Sequence, residues 1–95
     1  MNSVDFDTII PILKSNHIAF AGLFGSYARG EETPDSDIDL LVRFDKPIGL
    51  IKLVGIEYDL SDRLQKKVDL VTEGALSPYI KPHVLRDLKV LYGQR

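Results

Sequence analysis

The chain has 95 residues, 44% of them hydrophobic and 27% charged, which is enough surface for only one core, so a single domain over residues 1–95 is expected. A formal net charge of -2 argues against a general nucleic-acid binder, which neutralises phosphates with a basic face, and no direct nucleic-acid binding is expected. The absence of cysteine excludes a disulfide framework and a thiolate zinc site, and His17 and His83 are too far apart in sequence to substitute, so a reducing, cytoplasmic setting is expected.

The start, Met1-Asn2-Ser3-Val4-Asp5-Phe6-Asp7, lacks the basic and apolar regions of a signal peptide, and no apolar run reaches membrane-spanning length. A soluble protein is expected. From Asp5 to Lys14, the apolar residues Phe6, Ile9, Ile10 and Leu13 recur at helical spacing. Pro11 interrupts that pattern, so the helix is either kinked there or begins later, and Asn16-His17 ends it.

Ile18 to Phe24 is a short, wholly apolar run bounded by turn residues, as expected of a strand buried on both faces. Gly25 closes it, and a helical turn from Ser26 to Arg29 follows. After a polar turn from Glu31 to Asp35, the segment Ser36 to Phe44 alternates and then becomes apolar like a second strand. Leu50, Leu53, Ile56, Leu60 and Leu64 then mark an amphipathic helix that Lys66-Lys67 ends.

Val68 to Thr72 reads as a third strand. Ser77-Pro78 suggests the cap and first position of a last helix, which Pro82 threatens to interrupt; Val90-Leu91-Tyr92 either finishes that helix or adds an edge strand. The sum is an α/β sandwich with a small mixed sheet of three to four strands flanked by helices.

Asp37 and Asp39, two apart on the predicted second strand, send both carboxylates to one face while Ile38 and Leu40 face the core. Two such carboxylates repel unless a divalent cation joins them, and hard oxygen donors suit Mg²⁺. A solvated strand start with turn-capping aspartates has the same local pattern. Gly25-Ser26, where a strand meets a helix, offers backbone N–H groups and a hydroxyl to a phosphate, although it also matches an ordinary capped turn. Asp69 interrupts an apolar strand, where a carboxylate is costly unless paired, protonated or metal-bound, or else faces water from an edge strand.

Together these residues are more specific. Gly25-Ser26, ten intervening residues and Asp37-x-Asp39, with Arg29-Gly30 in the spacer and Asp69 downstream, form one constellation. It resembles the nucleotidyltransferase superfamily to which DNA polymerase beta belongs, and more closely its minimal nucleotidyltransferase members, the MntA-type antitoxins of HEPN–MNT modules. The strongest stretch runs from Phe24-Gly25-Ser26-Tyr27-Ala28-Arg29-Gly30 to Ser36-Asp37-Ile38-Asp39-Leu40, with Val68-Asp69-Leu70-Val71 supplying a third carboxylate.

The resemblance implies a polymerase beta-like core in which Asp37 and Asp39 ligate two Mg²⁺ ions and Asp69 completes the site of the nucleophile-activating ion. It further implies that Gly25 and Ser26 hold the outgoing phosphates of ATP. Arg29 is a candidate triphosphate contact, with a structural ion pair as the alternative. Larger relatives append an acceptor-binding domain; this chain ends soon after the core, so the expected acceptor is external. In the minimal family that acceptor is a tyrosine of a HEPN ribonuclease toxin, which AMP transfer neutralises. The arginine-to-histidine spacing of the HEPN signature is missing here, as expected of the antitoxin partner. The alternatives are a non-catalytic module that sequesters its partner, and nucleotidylation of a small molecule.

Overall fold

The computed structural model describes residues 4–95. Asp5 accepts a hydrogen bond from the Asp7 N–H at 3.1 Å and opens a 3-10 turn, Phe6–Ile9, that runs into helix α1, Ile10–Ser15. Pro11 lies in the first turn of α1, where its missing N–H has no intrahelical partner to lose. The helix therefore begins later than the apolar spacing suggests, rather than kinking.

Strand β1 is Ile18–Phe24, the short helix α2 is Ser26–Arg29 and strand β2 is Ile38–Phe44. Helix α3, Leu50–Leu64, follows, and Gln65 ends it in a left-handed conformation with its N–H returned to the Ser61 carbonyl. Strand β3 is Val68–Thr72. Ser77-Pro78 lies in a turn instead of starting the last helix, α4, which runs over Lys81–Asp87. Pro82 stands in the first turn of α4, so it starts that helix and does not interrupt it. Lys89–Gly93 is an edge strand, β4.

The sheet order is β3-β2-β1-β4. Strand β1 runs antiparallel to both β2 and β4, while β2 and β3 are parallel, joined by α3 as a crossover. This is the expected mixed sheet flanked by helices. Ile38, Leu40 and Val42 of β2 pack with Val68 and Leu70 against Ile9, Leu13, Ile56 and Leu60 on one face. Leu41 turns to the other face, where it meets Phe20 and Val84 of α4. Fully burying a side chain such as Leu60 contributes roughly 1.5–3 kcal/mol, so the alternation along β2 sets which carboxylates remain near water.

The outer edge of β3 is covered by α3. The Val68 N–H donates to the Ser61 hydroxyl at 2.9 Å and the Leu70 N–H to the Glu57 carboxylate at 2.7 Å. With these two donors engaged, residue 69 between them is turned toward β2 and the opposite face. Among the described residues no helix is long and apolar enough to cross a membrane.

Candidate active site

Asp39 and Asp69 are register partners in the β2–β3 ladder. Residues directly paired across parallel strands present their side chains to the same face, so both carboxylates stand on the face opposite α1 and α3. Their neighbours Ile38, Leu40, Val68 and Leu70 are buried, and both aspartates are half-buried. On the other side of Asp39, the ladder places Phe24, the last residue of β1.

Asp37 lies just before β2 rather than within it, because the chain enters the sheet only at Ile38, whose N–H donates to the Lys67 carbonyl at 2.9 Å. It is exposed, and its Oδ2 is 3.9 Å from Lys67 Nζ. The loop before it is pinned by the Thr33 N–H donating to the Ser36 hydroxyl at 2.9 Å and by Lys66 Nζ donating to the Pro34 carbonyl at 2.8 Å. Lys67 thus belongs beside the aspartates. Composition alone marks it only as a charge at a helix end.

Burial pushes the Asp39 carboxyl above its ordinary pKa, and the negative charges of Asp69 and Asp37 push it further. Arg29 and Lys67 act in the opposite direction. The three carboxylates therefore feel one another, and an added cation would relieve the crowding.

Gly25 connects β1 to α2 with φ 78° and ψ -156°, a backbone region that essentially only glycine enters. A Cβ at this position would stand 2.5 Å from Asp39 Oδ2. The turn is thus pressed directly against the carboxylate. The Ala28 and Arg29 N–H groups return to the Gly25 carbonyl at 3.1 and 3.2 Å, starting the helix at Ser26.

Arg29 is engaged on both sides: Nε pairs with Glu31 at 3.0 Å and Nη1 with Asp87 of α4 at 3.5 Å. The hydrogen bond that Arg29 Nε donates to Glu31, ahead of the contribution of Asp87, stabilises its charged form further. A cleft of about 290 Å³ opens here, lined by Gly25, Arg29, Ile80, His83 and Asp87 among others. Ile80, His83 and Asp87 carry no motif that links them to Gly25, and only the docking of α4 and the residue before it brings them there. A larger cleft, about 700 Å³, lies at the far ends of β2 and β3 and contains none of Asp37, Asp39 and Asp69.

Three carboxylates supply hard oxygen donors of the kind Mg²⁺ takes. Among the described residues no three acidic, histidine or cysteine side chains converge as a cage around a single ion. That donor set fits a cation that shares its shell with water and phosphate, as Mg²⁺ ordinarily does at nucleotide sites.

The sequence profile of the nucleotidyltransferase domain matches residues 6–91, which includes the Gly25 turn and all three aspartates. The chain belongs to the nucleotidyltransferase domain family. A Methanocaldococcus jannaschii protein with a provisional name as a protein adenylyltransferase is 49% identical over 67 residues, 70% of this chain and 68% of its own length. The protein adenylyltransferase MntA of Thermococcus cleftensis is 43% identical over the same shares of each chain. Among solved structures, a chain of a toxin–antitoxin complex with AMP-PNP superposes with TM-score 0.81 at 30% identity, covering 94% of this chain and 73% of its own. A chain of the complex between tri-AMPylated Shewanella oneidensis HEPN toxin and its MNT antitoxin superposes with TM-score 0.72 at 28% identity, covering 93% and 69%. This nucleotidyltransferase is accordingly an enzyme of the minimal, MntA type, with the polymerase beta-like fold.

Proposed function

We propose that this nucleotidyltransferase moves AMP from ATP to a tyrosine hydroxyl of a partner HEPN ribonuclease in the cytoplasm and thereby silences it. The observation that carries the reading is the in-register pairing of Asp39 with Asp69 beside the Gly25 turn, with Asp37 at the strand entrance. The likeness to adenylyltransferases and to toxin-bound antitoxins supports the choice of nucleotide and acceptor.

In this reading, Asp37 and Asp39 hold two Mg²⁺ ions and Asp69 completes the ligand set on the acceptor side. Divalent cations held by these carboxylates would supply acidification of an attacking hydroxyl and charge compensation for the leaving diphosphate. Gly25 lets the backbone approach the phosphates, Ser26 offers them its hydroxyl, and Arg29 contacts the triphosphate from the turn's far end. The tyrosine oxygen bonds to the α-phosphorus as the α–β anhydride bond breaks, releasing diphosphate and the phenolic proton.

Mass spectrometry of the product of the adjacent gene, after incubation with this chain, ATP and Mg²⁺, is expected to find AMP on a tyrosine. An unmodified partner counts against the reading. If partner neutralisation survives Asp37→Asn with Asp39→Asn, sequestration is the mechanism instead. Labelled ATP with a panel of small hydroxyl compounds tests the remaining alternative.

A further inference from the structure

The 700 Å³ cleft lies away from Asp37, Asp39 and Asp69 and has a mixed character. Its floor is apolar, with Phe20, Leu41, Ile48 and Leu53, while its rim carries the side chains of Arg43, Lys46 and Arg95 against a single acidic side chain, Glu73. Glu73 is already paired with Lys81 at 3.1 Å and with Arg95 at 3.4 Å. The rim is therefore locally cationic on a chain whose formal charge is -2.

The apolar surface does not stop at the cleft. Leu50 lines it and also begins an exposed stripe on α3 with Ile51, Val54 and Tyr58, in which Leu50, Ile51 and Tyr58 are 74%, 90% and 72% exposed. Four of the seven large exposed hydrophobic side chains among the described residues lie on this one helix. At about 100° per residue the four fall within an arc of roughly 100°, beside the Leu53–Ile56–Leu60 face that packs on the sheet. Residues from 50 to 58 extend about 12 Å along the axis, or slightly more than two helical turns. Leaving such a contiguous patch in water is unfavourable, and an apolar patch with a polar rim is the usual form of an interaction surface.

We propose that this cleft and the adjoining α3 stripe dock an acidic amphipathic helix of a partner protein, apart from the site of nucleotidyl transfer. The elongated stripe matches a helix laid in a groove better than a compact ligand, and the concave floor needs a protruding ridge that a flat bilayer lacks. Arg43, Lys46 and Arg95 select carboxylates flanking the apolar ridge. A protein substrate held there is anchored remotely while its hydroxyl reaches the aspartates.

The test is an NMR titration of the isotope-labelled chain with a synthetic amphipathic helix bearing leucines on one face and flanking glutamates. A matched peptide with lysine for glutamate serves as its counterpart. Saturable shifts at the Ile48, Leu50, Leu53 and Thr72 amides are expected with the acidic peptide, with about tenfold weaker binding of the basic one. Lys46→Glu should reduce acidic-peptide affinity about tenfold, and Ile51→Ser with Tyr58→Ser should weaken both peptides. No saturable shift at those amides, or equal affinity for the two peptides, overturns the proposal. So does perturbation of the same amides by phosphatidylserine vesicles but not by the peptide. The assay contains no nucleotide, so its failure leaves the adenylylation reading untouched, and failure of AMP transfer leaves this one untouched.

Discussion

Asp39 and Asp69 are direct partners across the parallel β2–β3 ladder, so the backbone register itself holds two carboxylates at one level on one face. Like charges placed opposite each other destabilise a sheet. The arrangement is unfavourable for the fold alone, and burial raises the carboxyl pKa of Asp39 further against ionisation.

Replacing Asp39 by asparagine should therefore stabilise the metal-free protein while abolishing transfer. A rise in Tm of roughly 2–5 °C in EDTA corresponds to relief of part of that repulsion in a domain of this size. AMP transfer should fall by about 100-fold or more if the carboxylate holds Mg²⁺. A thermal scan and a labelled-ATP assay check the two halves, and a lower Tm for the variant would contradict the electrostatic account.

The pH dependence of that stabilisation has a defined sign. A carboxyl with a raised folded pKa loses its proton first in the unfolded chain, so its penalty is absent below about 3.9 and complete above the folded value. Acidification from neutrality relieves it. Glu73 behaves oppositely: its hydrogen bond to Lys81, then Arg95, lowers its pKa, and the stability it contributes is lost as pH falls through the folded value. Comparing wild type with Asp39→Asn cancels Glu73, and the Tm advantage of the variant should be constant above the folded value of Asp39 and shrink as pH falls through it toward about 4. An advantage that stays constant over that range would show that the Asp39 carboxyl is not raised.

Gly25→Ala should damage both stability and chemistry. The methyl group would meet Asp39 Oδ2 at 2.5 Å on a backbone with φ 78°, so either the turn or the carboxylate must move. A loss of about 1–3 kcal/mol in denaturant unfolding is expected, together with weaker Mg²⁺-dependent protection against heat. Unchanged unfolding would mean that the turn is more adaptable than its packing implies.

Arg29→Ala separates a nucleotide contact from a structural strut. The side chain is 44% exposed and its pairs with Glu31 and Asp87 are screened by solvent, so deleting it should change stability little. If the guanidinium also binds the triphosphate, KM for ATP rises several-fold with little change in Tm. A change confined to Tm assigns Arg29 to holding α2 against α4 alone.

Much of the fold was legible because its signals are local. The apolar run of β1, the alternation of Ile38 and Leu40 against Asp39, and the three-and-four spacing of α3 each depend on neighbours within one element. Pro11 and Pro82 were ambiguous for a related reason. A proline that breaks a helix and one that starts it differ only in where the first turn lies, which depends on packing of the preceding segment. In sequence, strand β4 cannot be told from a helix end, because only the free edge of β1, supplied by the sheet, gives Lys89–Gly93 its partner.

The sequence by itself determined which residues are candidates for the chemistry, because Gly25-Ser26 and Asp37-x-Asp39 stand close along the chain at a spacing that two strands and a turn impose. Tertiary structure decided how they meet. The parallel register that puts Asp69 beside Asp39 arises from the α3 crossover, with Glu57 and Ser61 holding the far edge of β3. Likewise the pairing of Arg29 with Asp87 and of Asp37 with Lys67 joins residues that no local pattern connects. Charge placement across a sheet depends on register, and register is a property of packed elements rather than of any one segment.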